Sequence, residues 1–236
     1  MFSDIGYEPA TLKENDVMVM KLDGPRRPAR SGKARSLVVL LHGYGASGDD
    51  LIGLADELAP VLPDTAFASP HAVEEMPYPG QPAYQWFALA ARDPEEYAAG
   101  ARAAAPALDA FLDAELKRHG LEPSRLALVG FSQGTMMALH VGLRRTVAPA
   151  AIVGMSGVIA GAGTLAAEIT CRPPVMLLHG SDDEVIPAAA IHLTREALAG
   201  CNVGVEWHIR PGLGHGIDAE GLRHTATFLA GQLRAM

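Results

Sequence analysis

The chain has 236 residues, a formal net charge of −8, 49% hydrophobic and 19% charged residues. That length and balance allow a large buried core and exclude a disordered chain. They also argue against nucleic acid as the main partner, because phosphate binding needs clustered Lys and Arg.

The opening MFSDIGYEPATLKEND carries acids early and no apolar run, unlike a secretory signal. VMVMKL (17–22) is the first predicted strand. Arg26, Arg27, Arg30, Lys33 and Arg35 follow among Pro, Gly and Ser, and are expected in a solvated loop. SLVVLLH (36–42) predicts the second strand and DDLIGLADELAPVL a helix after it. TAFASP (65–70) predicts the third strand. An irregular insert at about 71–97, including MPYPGQPAYQWFALAARDPEEY, is long enough for a functional loop.

A helical pattern then runs from EEYAAG to KRHG, with Pro106 expected to kink or divide it. RLALVG (125–130), AAIVGMS (150–156), PVMLLHG (174–180) and VGVEWHI (203–209) predict four more strands. Helical patterns lie after each of them except AAIVGMS, as SQGTMMALHVGLRR, AAAIHLTREALAG and the closing EGLRHTATFLAGQLRAM. VVLL, LALV and VMLL are apolar without alternation, which suits parallel strands covered on both faces. The alternation predicts one α/β domain over 1–236, a mostly parallel sheet with helices on both faces. No apolar run is long enough to span a membrane. Cys171 and Cys201 form no CxxC pair and are expected as plain thiols. A soluble protein in a reducing, cytoplasmic compartment is the corresponding expectation.

GFSQG fits G-x-S-x-G, the turn that pushes a serine out at the sheet's C-terminal edge. Alone the pattern is weak; the strand before it and the helix after it give it weight. Ser132 is therefore the candidate nucleophile. A hydroxyl needs a general base, and histidine suits the task near neutral pH. His119, His140, His192 and His224 fall in helical patterns and His208 in a strand. His215 lies in PGLGHGID, between the last strand and the last helix, where a side chain can overhang the sheet edge. The base needs an acid, and LLHGSDDEVIP offers Asp182 and Asp183, between which spacing does not choose. The order Ser, Asp, His is that of α/β-hydrolases. The backbone amides of Tyr44, in LLHGYGASGDDL, and Gln133 are the candidate oxyanion hole. His42 and His179 end strands and are expected as packed, hydrogen-bonded residues, so no metal site is expected.

Together LLHGYGASGDDL, SPHAVEEMP with a downstream QWF, VGFSQGTMMAL, LLHGSDDEVIP and GLGHGID resemble the carboxylesterase/phospholipase family that includes the acyl-protein thioesterases. They run in the family's order from about residue 37 to the end. The resemblance implies an α/β-hydrolase fold without a large cap, and hydrolysis of carboxylic esters or thioesters without a cofactor. It implies Ser132 as nucleophile, His215 as base and Asp183, fifth in H-G-x-x-D, as acid. It matches Tyr44 and Gln133 to the oxyanion positions, and Trp86 and Phe87 to a W-[FY] pair near the acyl pocket. Glu184 stands where the family often has proline, and Tyr78, Pro79, Tyr84 and Gln85 depart from the thioesterase pattern. The expected substrate is a small-molecule ester with a short to medium acyl chain. The alternatives are an acyl-protein thioesterase or lysophospholipase, and a non-catalytic ligand-binding homologue. Members of the family are sometimes dimers, so a homodimer is an open assembly state.

Overall fold

The computed structural model describes residues 20–77, 80 and 82–234. Its strands are β1 (Arg26–Arg27), β2 (Ser36–Leu41), β3 (Thr65–Ala68), β4 (Glu74–Met76), β5 (Ala83–Gln85), β6 (Leu126–Phe131), β7 (Ala151–Met155), β8 (Val175–Gly180) and β9 (Val205–Arg210). Its α-helices are α1 (Gly48–Ile52), α2 (Leu54–Leu58), α3 (Pro94–His119), α4 (Gln133–Gly142), α5 (Leu165–Glu168), α6 (Ala190–Gly200) and α7 (Ala219–Arg234). The main sheet has the order β1-β3-β2-β6-β7-β8-β9, and β4 and β5 form a separate two-stranded sheet among the described residues. All neighbours in the main sheet are parallel except β1 and β3. This is a mostly parallel α/β sheet, as the continuous apolar strands require.

Strand β2 explains the layering. All six of its residues are buried. Leu37, Val39 and Leu41 join one core with residues of α3 and α4, while Val38 and Leu40 join a second with residues of α1, α2 and α7. Burying one Leu or Val side chain contributes roughly 1.5–3 kcal/mol. A strand apolar at every position gains that on both faces only where helices cover both. Helix α7 meets the second core through Ala226, Leu229, Ala230 and Leu233, spaced as one helical face.

Five expectations need correction. Residues 20–22 form no strand, and 17–19 lie outside the described residues; the sheet instead begins at β1, inside the basic cluster. There the Arg26 guanidinium meets the buried Glu115 carboxylate at 2.9 and 3.0 Å, so this arginine is a tertiary link between β1 and α3 rather than part of a solvated loop. The first helical stretch is two short helices separated at Gly53. The insert is ordered at its core as the β4–β5 hairpin, with Tyr78 and Pro79 outside the described residues.

The fifth is Pro106, which does not divide α3: that helix runs unbroken for 26 residues. One lost backbone bond is outweighed by the face Ala101, Ala104, Ala107, Leu108, Phe111 and Leu112 packed into the core. The helix is also well terminated. Asp93 accepts from the amides of Glu95 and Glu96, Pro94 opens the first turn, and Gly120 closes the last with φ 63°.

Candidate active site

Strand β6 is the middle strand of the sheet and ends at Phe131; α4 begins at Gln133. Ser132 must reverse the chain between them, and takes φ 55°, ψ −118° to do so. A non-glycine residue there is strained. The strain is held because both sides are packed: a Cβ at Gly130 would overlap the carbonyl of Gly134, and one at Gly134 the carbonyl of Leu41 on β2. The Ser132 amide donates to the Met155 carbonyl on β7 at 2.9 Å, and its carbonyl accepts the Thr135 amide at 2.9 Å. The turn is thereby tied to strands on both sides, with the hydroxyl at the carboxyl edge of the sheet.

Asp183 and His215 lie in the segments that follow β8 and β9. Nδ1 of His215 lies 2.8 Å from Oδ2 of Asp183; since the carboxylate accepts, Nδ1 carries the proton and Nε2 is left as the basic nitrogen. Oδ1 of Asp183 accepts the amides of Val185 and Ile186, each at 2.9 Å. His179 donates Nε2–H to the Ile186 carbonyl at 2.8 Å and stands 3.2 Å from Asp183 Oδ2. Burial pushes the Asp183 carboxyl up, but the Ile186 amide, His215 and the Val185 amide together hold it below the usual carboxylate range. Asp182 instead accepts from the Ser181 hydroxyl and is exposed. Packing, not spacing, separates the two aspartates.

The His215 loop is braced at both ends. The Gly212 amide donates to the Ser181 hydroxyl at 2.8 Å and the Asp182 amide to the Leu213 carbonyl at 3.0 Å. Arg210 grips Asp218 at 3.0 Å across the loop's base. The imidazole packs on Phe131, ring centroids 4.9 Å apart, beside the residue that precedes Ser132. No hydrogen bond joins the Ser132 hydroxyl to His215 among the described residues.

The amides of Tyr44 and Gln133 donate to no acceptor among the described residues. Gln133 opens α4, where first-turn amides have no partner within the helix. Trp86 and Phe87 are 1% and 4% exposed, so both side chains lie in the core. His42 is hydrogen-bonded as expected of a packed histidine: Nδ1–H donates to the Gly43 carbonyl at 2.8 Å and Nε2 accepts the Ala72 amide at 3.0 Å.

The family profile described as phospholipase/carboxylesterase matches residues 28–233. The chain belongs to that family. In this phospholipase/carboxylesterase, the matched stretch contains the Ser132 turn, Asp183 and His215. A crystal structure of esterase PE8 is 43% identical, covers 90% of this chain and 100% of its own, and superposes with a TM-score of 0.85. Esterase YpfH of Escherichia coli (strain K12) is 28% identical over 208 residues, 88% of this chain and 84% of its own. Acyl-protein thioesterase 1 of Gibberella zeae is 35% identical over 119 residues, 48% of this chain. That alignment spans 51% of the thioesterase, about half its length.

Two features of this phospholipase/carboxylesterase escaped the sequence. One is His179 beside the Asp183 carboxylate; its signal was the first position of H-G-x-x-D, four residues ahead. The other is the use made of the Gln133 side chain, which no local pattern announces.

Proposed function

We propose that this chain is a serine esterase that hydrolyses short- to medium-chain carboxylic esters of small molecules in two acyl-transfer steps, working as one α/β-hydrolase domain. The observation that carries this reading is the 2.8 Å bond from His215 to a buried Asp183 at the sheet edge where Ser132 is held in strain. His215 Nε2 takes the Ser132 proton as Oγ attacks the ester carbonyl. The tetrahedral oxyanion is held by the amides of Tyr44 and Gln133, and losing one such donor costs about 2.7–4 kcal/mol in other hydrolases. The imidazolium, stabilised by Asp183, then protonates the leaving alcohol. Water repeats the sequence on the acyl-enzyme. Trp86 and Phe87 serve as the floor beneath the acyl site.

Chemistry rather than cavity size marks this edge. A cavity of about 730 Å³ opens at the amino ends of β2, β3 and β6, lined by Ser36, Thr65 and Arg125, whereas Ser132 follows the carboxyl end of β6. The free, buried Cys171 and Cys201 favour a reducing, cytoplasmic compartment. No helix among the described residues is long and apolar enough to cross a membrane.

Thioester hydrolysis would use the same groups, and the half-length likeness to an acyl-protein thioesterase favours it as the second reading. A series of p-nitrophenyl esters and acyl thioesters from C2 to C16 separates the two, with preference for short esters expected. Ser132→Ala should lose turnover and fluorophosphonate labelling together. A folded wild-type chain that takes no label would instead be a ligand-binding homologue. Light scattering on the same sample distinguishes monomer from homodimer.

A further inference from the structure

The two oxyanion amides belong to segments with no covalent link close by: Tyr44 follows β2, and Gln133 opens α4. Strands β2 and β6 pair directly as far as Leu41 and Gly130, and beyond that ladder the spacing is held by whatever touches both segments. One short stretch does, Tyr84 to Phe87, running out of the β4–β5 hairpin.

On the Tyr44 side, the Tyr84 amide donates to the Ala46 carbonyl at 2.8 Å, and the Gly45 amide donates to the Tyr84 carbonyl at 2.9 Å. The Trp86 indole Nε1–H donates to the His42 carbonyl at 2.9 Å. Tyr44 is thus pinned through residues on both of its flanks. On the Gln133 side, the side-chain carboxamide is used twice. Its oxygen accepts the Trp86 amide at 2.9 Å and its nitrogen donates to the Phe87 carbonyl at 2.8 Å. Gln133 is 1% exposed and Trp86 1%, so these bonds form away from water.

We infer that Tyr84–Phe87 is a strap that sets the distance between the two oxyanion donors, and that the Gln133 carboxamide is a positioning residue clamping the strap to α4. This rests on the reading of Ser132 as an esterase nucleophile. The Gln133 side chain acts through its own backbone: by fixing the residue, it aims the amide N–H. Phe87 acts through its backbone carbonyl, and Trp86 through both its backbone amide and its indole Nε1–H.

The test removes the clamp while leaving the amide. Gln133→Met conserves volume and loses both bonds; Gln133→Asn withdraws the carboxamide by one methylene. Turnover of p-nitrophenyl butyrate is normalised to active sites titrated with a fluorophosphonate. The expected result is a fall in kcat of roughly 10- to 100-fold with KM little changed, since loss of a whole donor costs about 10²–10³. An alkyl trifluoromethyl ketone reads the same geometry. The Ser132 oxygen adds to its carbonyl carbon, the proton passes to His215, and the resulting hemiketal oxyanion needs both donors. Its affinity should fall in step with kcat/KM. A merely structural role would lower folded yield but leave kcat per titrated site and ketone affinity unchanged, and that outcome in either variant overturns the proposal. Turnover retained in Ser132→Ala would sink the esterase reading instead, so the two failures are distinguishable.

Discussion

Two adjacent aspartates of identical chemistry have opposite surroundings here. Asp183 is buried against His215, His179 and two amides, whereas Asp182 faces solvent beside Ser181. Asp183→Asn places an amide where a carboxylate accepts the Nδ1–H of His215, and should lower kcat for p-nitrophenyl acetate by about 10⁴-fold, as the equivalent change does in a serine-protease triad. Asp182→Asn should leave kcat nearly unchanged. Steady-state kinetics on the pair checks both, and a larger loss at Asp182 would reverse the assignment. Spacing and chain order left this pair open and the family resemblance pointed to Asp183; the folded β8 end shows the physical difference, with Asp183 facing inward and Asp182 outward.

Elements meet closely around the Ser132 turn, and glycine there is a packing requirement. A methyl at Gly134 would overlap the Leu41 carbonyl, so Gly134→Ala must push α4 off β2. It should cost about 1–3 kcal/mol of stability, read by urea unfolding. Gly53, between α1 and α2, has φ −58° and nothing within 4 Å of an added methyl. Gly53→Ala should raise stability by about 0.4–1 kcal/mol in the same assay, because it restricts only the unfolded chain. The two substitutions are alike in sequence terms and opposite in expected sign. Elements were read well where an apolar run was long, as in β2, β6 and β8. They were read poorly where tertiary contact overrode local preference: Pro106 inside α3, Arg26 recruited into β1 by Glu115, and the hairpin β4–β5 stitched to the Tyr44 loop.

Across the whole molecule, acid stability turns on buried histidines. His42 is pushed down to about 4 by burial, and His140 to about 4 by burial with the nearby Arg144 cation adding to it. Unfolded, each titrates near 6.5. Between pH 6.5 and 4 the unfolded chain therefore binds more protons than the folded one, so stability rises with pH in that window. It is fully present above pH 6.5 and is lost as pH falls toward 4. At about 1.36 kcal/mol per pH unit for each group, the loss by pH 4.5 is about 2–3 kcal/mol per histidine. Urea unfolding at pH 7 and pH 4.5 measures it. His140→Gln should shrink the difference by about one histidine's share, and an unchanged difference would show that His140 does not contribute.

Periodicity and glycine placement alone determined that this chain is a parallel α/β sheet with a serine turn after a central strand. Those signals are local: a run of apolar residues or a G-x-S-x-G turn is legible within a few positions. Tertiary structure alone decided how Asp183 is enclosed beside His215, that Trp86 and Phe87 are buried, and that one hairpin reaches both the Tyr44 loop and the start of α4. Each of these depends on contacts between residues tens of positions apart, whose mutual geometry is set by packing and leaves no period in the sequence.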